Sequence, residues 1–289
     1  MHDAVIDVAR FKLIGRRSAV SINVVSTQSH GVRDPCAHAE RDRHTEEPVL
    51  ANVIGLDTAT ADTAVAAMAG GQVVWEATVP PASGTSRPAH ATALLGQLER
   101  AAAELGGWGE VERLAVGVGP GSFTGLRIGV AAARGLAQAL GLEVVPVRTV
   151  DALAAGIAAT TEGQGRRCLA VLDARRGEIY AGLFDAQGAV EWELFPVSPE
   201  ALSDRVAALD PAPLAGGDGS IRFRAILKGS GATMLDADDP ANRVSARQVC
   251  RLGMAADPVP ATDLEPIYIR RPDAELWREQ QQRRRHEGA

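Results

Sequence analysis

The chain is short of the groups that most often carry chemistry unaided. Aromatic residues make up 4% of its 289 positions, and it has six histidines and three cysteines. Cys36, Cys168 and Cys250 are widely spaced and odd in number, which argues against a disulfide framework and for a reducing cytosol. His2, His30, His38, His44 and His286 lie towards the two ends, leaving His90 alone in the region that reads as folded. A two-histidine metal site cannot be written there. Cys36, His38 and His44 sit in a charged coil and lack a complete structural zinc set. No uncharged apolar run reaches the roughly 18 residues of a membrane span. Arg10, Lys12, Arg16 and Arg17 interrupt every N-terminal apolar run, so no signal peptide is read. Basic charge is scarce as well: 30 Lys and Arg against 36 Asp and Glu give a formal charge of −6, against a protein that binds nucleic acid by itself. A soluble, cytoplasmic protein is expected, with 46% hydrophobic residues to build its cores.

What is present is organised around one stretch, LAVGVGPGSFTGLRIGVAAARGLAQALG, from Leu114 to Gly141. Leu114 to Val118 reads as a buried strand, and Gly119, Pro120 and Gly121 as a tight turn. Ser122 or Thr124 can cap the helix that follows, and Gly141 stands where a C′ glycine would end it. Gly125, Gly129 and Ala133 recur every four residues beside Leu126, Val130 and Ala137. The opposite face carries Arg127, Arg134 and Gln138 among alanines. So little charge on the helix predicts that another helix lies close against it, with the Gly125–Gly129–Ala133 side as the contact. The turn itself fails three motif tests. Five residues separate Gly119 from Gly125 where a P-loop needs four, Thr124 stands where a dinucleotide fingerprint needs its third glycine, and Pro120 and Thr124 replace the glycines of a nucleophile elbow around Ser122.

The remaining chain divides into blocks. Residues 1–48 are polar and aperiodic towards their end and read as a disordered extension, in which residues 5–25 could form a brief helix or strand. Residues 51–56 form a strand ending in Asp57-Thr58-Ala59-Thr60, and two more strands, 63–68 and 72–79, flank a Gly70-Gly71 turn. Asp57 reads as a turn-capping carboxylate, with cation positioning as the alternative. A helix over 89–105 opens with His90, a capping or packing residue, and carries Leu94, Leu98, Ala101 and Leu105 as a stripe with Leu95 beside it. A strand at 143–147 and a helix at 149–159, with Thr149 as its cap, come next. Residues 168–185 read as a hairpin about the turn Ala174-Arg175-Arg176-Gly177, restarting the β-β pattern of residues 51–79. A duplicated fold follows from this restart. Further on come a strand at 191–197, a helix begun by Ser198-Pro199-Glu200, the glycine run 215–220, a helix at 245–254 and a strand at 264–270. The end, 271–289, is a charged, solvated tail whose Arg283-Arg284-Arg285 could touch RNA.

Three ordered strings resemble the bacterial TsaB (YeaZ) family. They are GPGSFTGLRIG, containing Gly119, Pro120, Gly121, Ser122, Thr124 and Arg127; His90-Ala91-Thr92-Ala93-Leu94-Leu95; and Asp173-Ala174-Arg175-Arg176-Gly177-Glu178-Ile179-Tyr180. Asp57-Thr58-Ala59-Thr60 and the LEPIYIR segment also fit, so the resemblance covers about residues 53–270. It implies an α/β protein with the duplicated actin-like/sugar-kinase ATPase (ASKHA, ribonuclease H-like) fold: a subdomain at 49–148, a second at 149–270, and a degenerate nucleotide site. Active members of that fold carry a glycine after the Asp57-like carboxylate, where this chain has Thr58-Ala59. The resemblance further implies a non-catalytic dimerisation subunit without a cofactor of its own. Such a subunit binds the threonylcarbamoyltransferase TsaD as a heterodimer and acts with the ATPase TsaE. It meets tRNA mainly through that complex, which modifies the adenosine beside the anticodon. The partner surface would be the two N-terminal helices, through Leu94, Leu95, Leu98, Gly125, Leu126, Gly129, Val130 and Ala133. The rival readings are a stand-alone ASKHA-type ATPase, an M22-like metalloprotease, or a homodimer using the same helices.

Overall fold

The computed structural model describes residues 51–81 and 88–269. The extension 1–48, with Cys36, His38 and His44, and the tail 271–289 lie outside the described residues. In the first half, β1 (Val53–Asp57), β2 (Thr63–Ala69), β3 (Gln72–Val79), α1 (His90–Glu104), β4 (Arg113–Gly117), α2 (Phe123–Leu140) and β5 (Glu143–Val147) follow in order. α3 (Thr149–Ala158) leads to β6 (Cys168–Arg175), β7 (Glu178–Phe184), β8 (Val190–Val197), α4 (Pro199–Ala207), β9 (Leu214–Gly216), α5 (Asp218–Arg222), α6 (Arg224–Lys228), β10 (Thr233–Met234) and α7 (Ala246–Ala255). The first sheet has the order β3-β2-β1-β4-β5 and the second β8-β7-β6-β9-β10. In each, the first three strands form antiparallel hairpins and the last two join in parallel. Two sheets of identical order and direction make this the duplicated actin-like α/β fold.

The period of two along the strands sorts the cores. Ile54 and Leu56 of β1 face outward to Leu94 and Leu98 of α1 and Val130 and Ala133 of α2. Val53 faces the other way, into a core shared with Cys168, Ala170 and Leu172 of β6. Leu169 and Val171 of β6 pack outward on Leu202 and Val206 of α4. Both sheets are therefore covered on both faces, as parallel strands require.

Two helices cross over between the halves. α3 follows the first sheet but packs on β6 and β9, while α7, from the second half, lies across β1, β2 and β4. Glycine makes the α7 crossing possible. A Cβ on Gly55 would stand 2.6 Å from Cys250 Sγ, and one on Gly253 would stand 2.3 Å from Ala115 Cβ. Blocks 49–148 and 149–270 are thus laced together rather than packed separately. Glu76 of β3 fastens the lacing by accepting from Ser245 Oγ (2.8 Å) and Arg247 N (3.2 Å) at the start of α7 and by pairing with the Arg247 guanidinium. Losing an ionised acceptor at a helix N-terminus costs about 1–3 kcal/mol. Glu76→Ala is expected to lower the urea-unfolding free energy by about 2 kcal/mol, with Glu76→Gln recovering part of it; an unchanged midpoint would show that the latch contributes nothing.

Most local signals act as read. Ser122 is the α2 cap, its Oγ accepting from Gly125 N at 3.3 Å, and Gly141 closes the helix at φ 72°. Two expectations are corrected. Thr149 does not cap α3, whose N-cap Arg148 makes no side-chain cap bond; the Thr149 hydroxyl donates instead to Asp57. Residues 264–269 form no strand. They run as an extended strap past the end of β4, tied by Ile267 N donating to Val118 O at 2.7 Å, and Arg270 lies outside the described residues.

Candidate functional site

The motif residues separate into a buried group and a group around a cavity. Asp57, at the end of β1, is buried, accepting from Ala59 N (2.8 Å) and from Thr149 Oγ (2.7 Å). Thr149 Oγ in turn accepts from Gly119 N at 3.1 Å. Burial outweighs these bonds and pushes the Asp57 carboxyl up to about 6. The turn-capping reading of Asp57 therefore holds, with an added bond to the start of α3. Thr58, also buried, donates to Gly125 O at 2.8 Å and so ties the loop to α2.

His90 is buried beneath the same loop. Its Nδ1 lies 2.8 Å from Thr63 Oγ and its Nε2 3.2 Å from Thr60 O. A carbonyl can only accept, so Nε2 carries the proton and Nδ1 accepts from Thr63. Burial lowers the pKa of the ring, in keeping with this neutral form. His90 is a packing residue, as expected. Among the described residues no group of three or more His, Cys, Asp or Glu is placed to hold a metal ion.

In front of this layer lies a cavity of about 390 Å³ between the two first-hairpin regions. Pro120, Gly121, Ser122 and Thr124 come to it from the α2 turn, and Asp173, Arg175, Arg176 and Tyr180 from the β6–β7 hairpin. The structure thus brings together residues about 50 positions apart that the sequence shows only as separate strings. The hairpin turn is left-handed at Arg175 (φ 66°) and Arg176 (φ 53°), a conformation side-chain-bearing residues seldom adopt. Asp173 organises it, accepting from Arg175 N (2.9 Å) and from the Arg222 guanidinium (2.7 Å) while its own N–H donates to Asp218 (2.9 Å). Burial raises the Asp218 pKa.

Sequence reasoning missed the strap side of this site. Ile267, Tyr268 and Ile269 line the cavity, with Tyr268 5.1 Å from the Phe123 ring and its hydroxyl accepting from Arg127 Nε at 3.1 Å. Arg127 lies over Phe123 at 3.8 Å. Phe123 and Tyr268 both stood in motif strings, but nothing local signals that these strings meet.

The helix faces require a correction. Leu94, Leu98, Gly125, Leu126, Gly129, Val130 and Ala133 are all buried inside the first half. A Cβ on Gly125 would stand 2.0 Å from Thr58 O, and one on Gly129 2.4 Å from Thr58 Oγ. This small face exists to let α2 approach the β1 loop, so it is not available to a partner. Of the expected interface set only Leu95 is exposed, at 59%. The outward face carries Ala91, Leu95 and Gly96 on α1, with Ala131, Gly135 and Gln138 on α2. Among the described residues, a Cβ on Gly96 or Gly135 would meet nothing within 4 Å. Two mid-helix glycines away from the apolar stripe were the available signal for this face.

Residues 81–193 match the family model described as TsaD, tRNA N6-adenosine threonylcarbamoyltransferase. The YeaZ structure from Pseudomonas aeruginosa is similar at TM-score 0.62 and 28% identity, over 75% of this chain and 99% of that one. The Bacillus subtilis tRNA threonylcarbamoyladenosine biosynthesis protein TsaB is 28% identical over 60% of this chain and 76% of its own length. The Escherichia coli protein of the same name is 32% identical over 56% of this chain and 71% of its own length. With that identity, the shared YeaZ topology and the three motif strings in order, the chain belongs to the TsaB (YeaZ) family.

Proposed function

We propose that this chain is a non-catalytic subunit of tRNA threonylcarbamoyladenosine biosynthesis that docks the transferase TsaD through the outward face of α1 and α2. With TsaE, the complex transfers threonylcarbamoyl to the adenosine beside the anticodon, and this subunit meets tRNA through the complex. The observation that carries the reading is the exposed face itself. Gly96 and Gly135 sit mid-helix, where glycine costs about 0.5–1 kcal/mol relative to alanine, and no contact among the described residues accounts for either. Leu95 stands exposed beside Gly96. A partner helix at close range would account for all three. The scaffold role is supported by the closed state of the old phosphate loop: Asp57 is taken up by Ala59 and Thr149, and Ser122 N donates to Ala59 O at 2.6 Å.

Gly135→Leu is expected to leave the fold intact and to weaken TsaD binding by roughly ten- to a hundredfold, the effect of about 1.4–2.8 kcal/mol at the interface. Titration calorimetry against purified TsaD measures it, with modified tRNA in cells as the second readout. Val190→Glu, exposed on β8, is the control and should bind normally. Gln138, on the outward face, cannot serve as one. If Gly135→Leu and Leu95→Glu both bind like the parent, this face is not the docking surface. If they weaken self-association alone, the homodimer reading replaces the heterodimer.

A further inference from the structure

One wall of the cavity is a fixed aromatic platform. Tyr268 is 41% exposed, and its hydroxyl accepts from Arg127 Nε at 3.1 Å. Its ring leans on Phe123 at 5.1 Å, and the Arg127 guanidinium lies 3.8 Å over Phe123. These contacts hold the Tyr268 ring in place while part of its surface stays free. The β6–β7 side is basic at its rim. The Arg175 and Arg222 side chains are 63% and 48% exposed. The Asp173 carboxylate between them is 9% exposed and is taken up by Arg222 and Arg175 N. Cations therefore reach solvent where the carboxylate does not, although the chain as a whole carries −6. The phosphate path of an actin-like ATPase is closed here. Ser122 N donates to Ala59 O, and a Cβ on Gly121 would stand 2.2 Å from that carbonyl. The α2 turn rests directly on the β1 loop, which leaves a polyphosphate no place between them.

We propose that this cavity takes one unpaired nucleotide of an RNA, its base stacked on Tyr268 and its flanking phosphates beside Arg175 and Arg222. Its volume of about 390 Å³ lies at the low end of the roughly 300–1,000 Å³ of small-molecule sites, room for a single nucleotide unit. Thr60, Ser122 and Thr124 line the same cavity and offer hydroxyls to the base edges. An aromatic face for the base and guanidiniums for the backbone are how proteins hold single-stranded RNA. One stack and two phosphate contacts make a weak site, so the RNA is brought to it by other contacts. That this RNA is tRNA rests on the function proposed above; the site itself rests on the cavity.

The chain has two tyrosines, Tyr180 and Tyr268, and both line the cavity. Fluorine NMR of the full chain labelled with 3-fluorotyrosine therefore watches this site, with Tyr268→Phe giving the assignment. Titration with an RNA hairpin bearing an unpaired loop should shift both lines saturably, with a dissociation constant of roughly 0.1–1 mM. Adenosine monophosphate, ATP and a blunt RNA duplex should bind about tenfold more weakly. Arg175→Gln should weaken the hairpin about tenfold and lower its log–log salt slope by about 0.7. Tyr268→Leu, read through Tyr180, should weaken it about tenfold and leave the slope unchanged. Arg251→Gln, exposed on α7 and outside the cavity lining, should change neither. Lines that do not move with the hairpin overturn the proposal, as does binding indifferent to both cavity substitutions. Equal binding of either free nucleotide overturns it in favour of a free-nucleotide site, and equal binding of the duplex in favour of a general polyanion surface. No TsaD is present, so failure here says nothing against the α1–α2 docking face, and lost docking in Gly135→Leu says nothing against this site.

Discussion

Gly125→Ala is expected to destabilise the protein by about 3–5 kcal/mol, a large part of a typical domain's stability. The new methyl would stand 2.0 Å from Thr58 O and 3.1 Å from His90 Nε2. The first is backbone, held by β1 behind it and by the Thr58 hydroxyl bond to Gly125 O. It cannot swing aside as a flexible side chain would, so α2 must lift from the sheet and break that bond. The better helix propensity of alanine offsets only about 1 kcal/mol. Gly129→Leu meets a side-chain atom instead, Thr58 Oγ at 2.4 Å, but that hydroxyl is held by its bond to Gly125 O, so this variant should destabilise as well. Gly135→Ala is the contrast: with open space around its Cβ, it should stabilise by about 0.5–1 kcal/mol. Urea unfolding of the three variants measures the series. A Gly125→Ala loss below about 1 kcal/mol would mean α2 does not rest on the Thr58 carbonyl.

The second large effect is a pH dependence traced to Asp57. Its carboxyl is raised from 3.8 to about 6 in the folded protein by burial, against the lowering effect of the Thr149 and Ala59 bonds. The folded state binds this proton more tightly than the unfolded chain does. The stabilisation is therefore complete below about pH 3.8 and is lost as pH rises through about 6. The difference amounts to something on the order of 3 kcal/mol. Asp57→Asn keeps a carbonyl to accept from Ala59 N but removes the titration. The variant should be at least as stable as the parent at pH 8 and clearly less stable at pH 4.5. Asp62, Asp151 and Asp218, also raised by burial, are present in both proteins and cancel in the comparison. Unfolding free energies across that range decide the matter. A gap between parent and variant that does not change with pH would show that Asp57 has an ordinary carboxylate pKa.

Much of the cavity was legible one string at a time. The GPGS turn and the Asp173–Tyr180 hairpin were both marked as motif segments, and both line it. Asp57 and His90 were read as packing or turn residues, and their bonds to Ala59, Thr63 and Thr60 are of that kind. Phe123 and Tyr268 were not singled out, because their contact joins positions far apart in the chain.

The sequence by itself did not determine the short elements β9, α5, α6 and β10, but it determined the longer strands and helices and both ends of α2. Those depend on neighbours within a few residues: alternation in β1 and β6, a serine before α2, a glycine after it. The restart of the β-β pattern at Cys168 also revealed the duplication, which the matching strand orders display. The tertiary structure alone decided what covers the small side of α2. Leu126 and Val130 beside Gly125, Gly129 and Ala133 marked that side as a contact, but helical periodicity could not say whether the chain's own sheet or a partner supplies it. The Thr58 carbonyl and hydroxyl supply it, by occupying the space a side chain would need. Thr149 and the 264–269 strap followed the same logic. A local cap and a local strand pattern lost to a buried carboxylate 92 residues away and to a single bond at the end of β4, because distant partners removed the donors from local use.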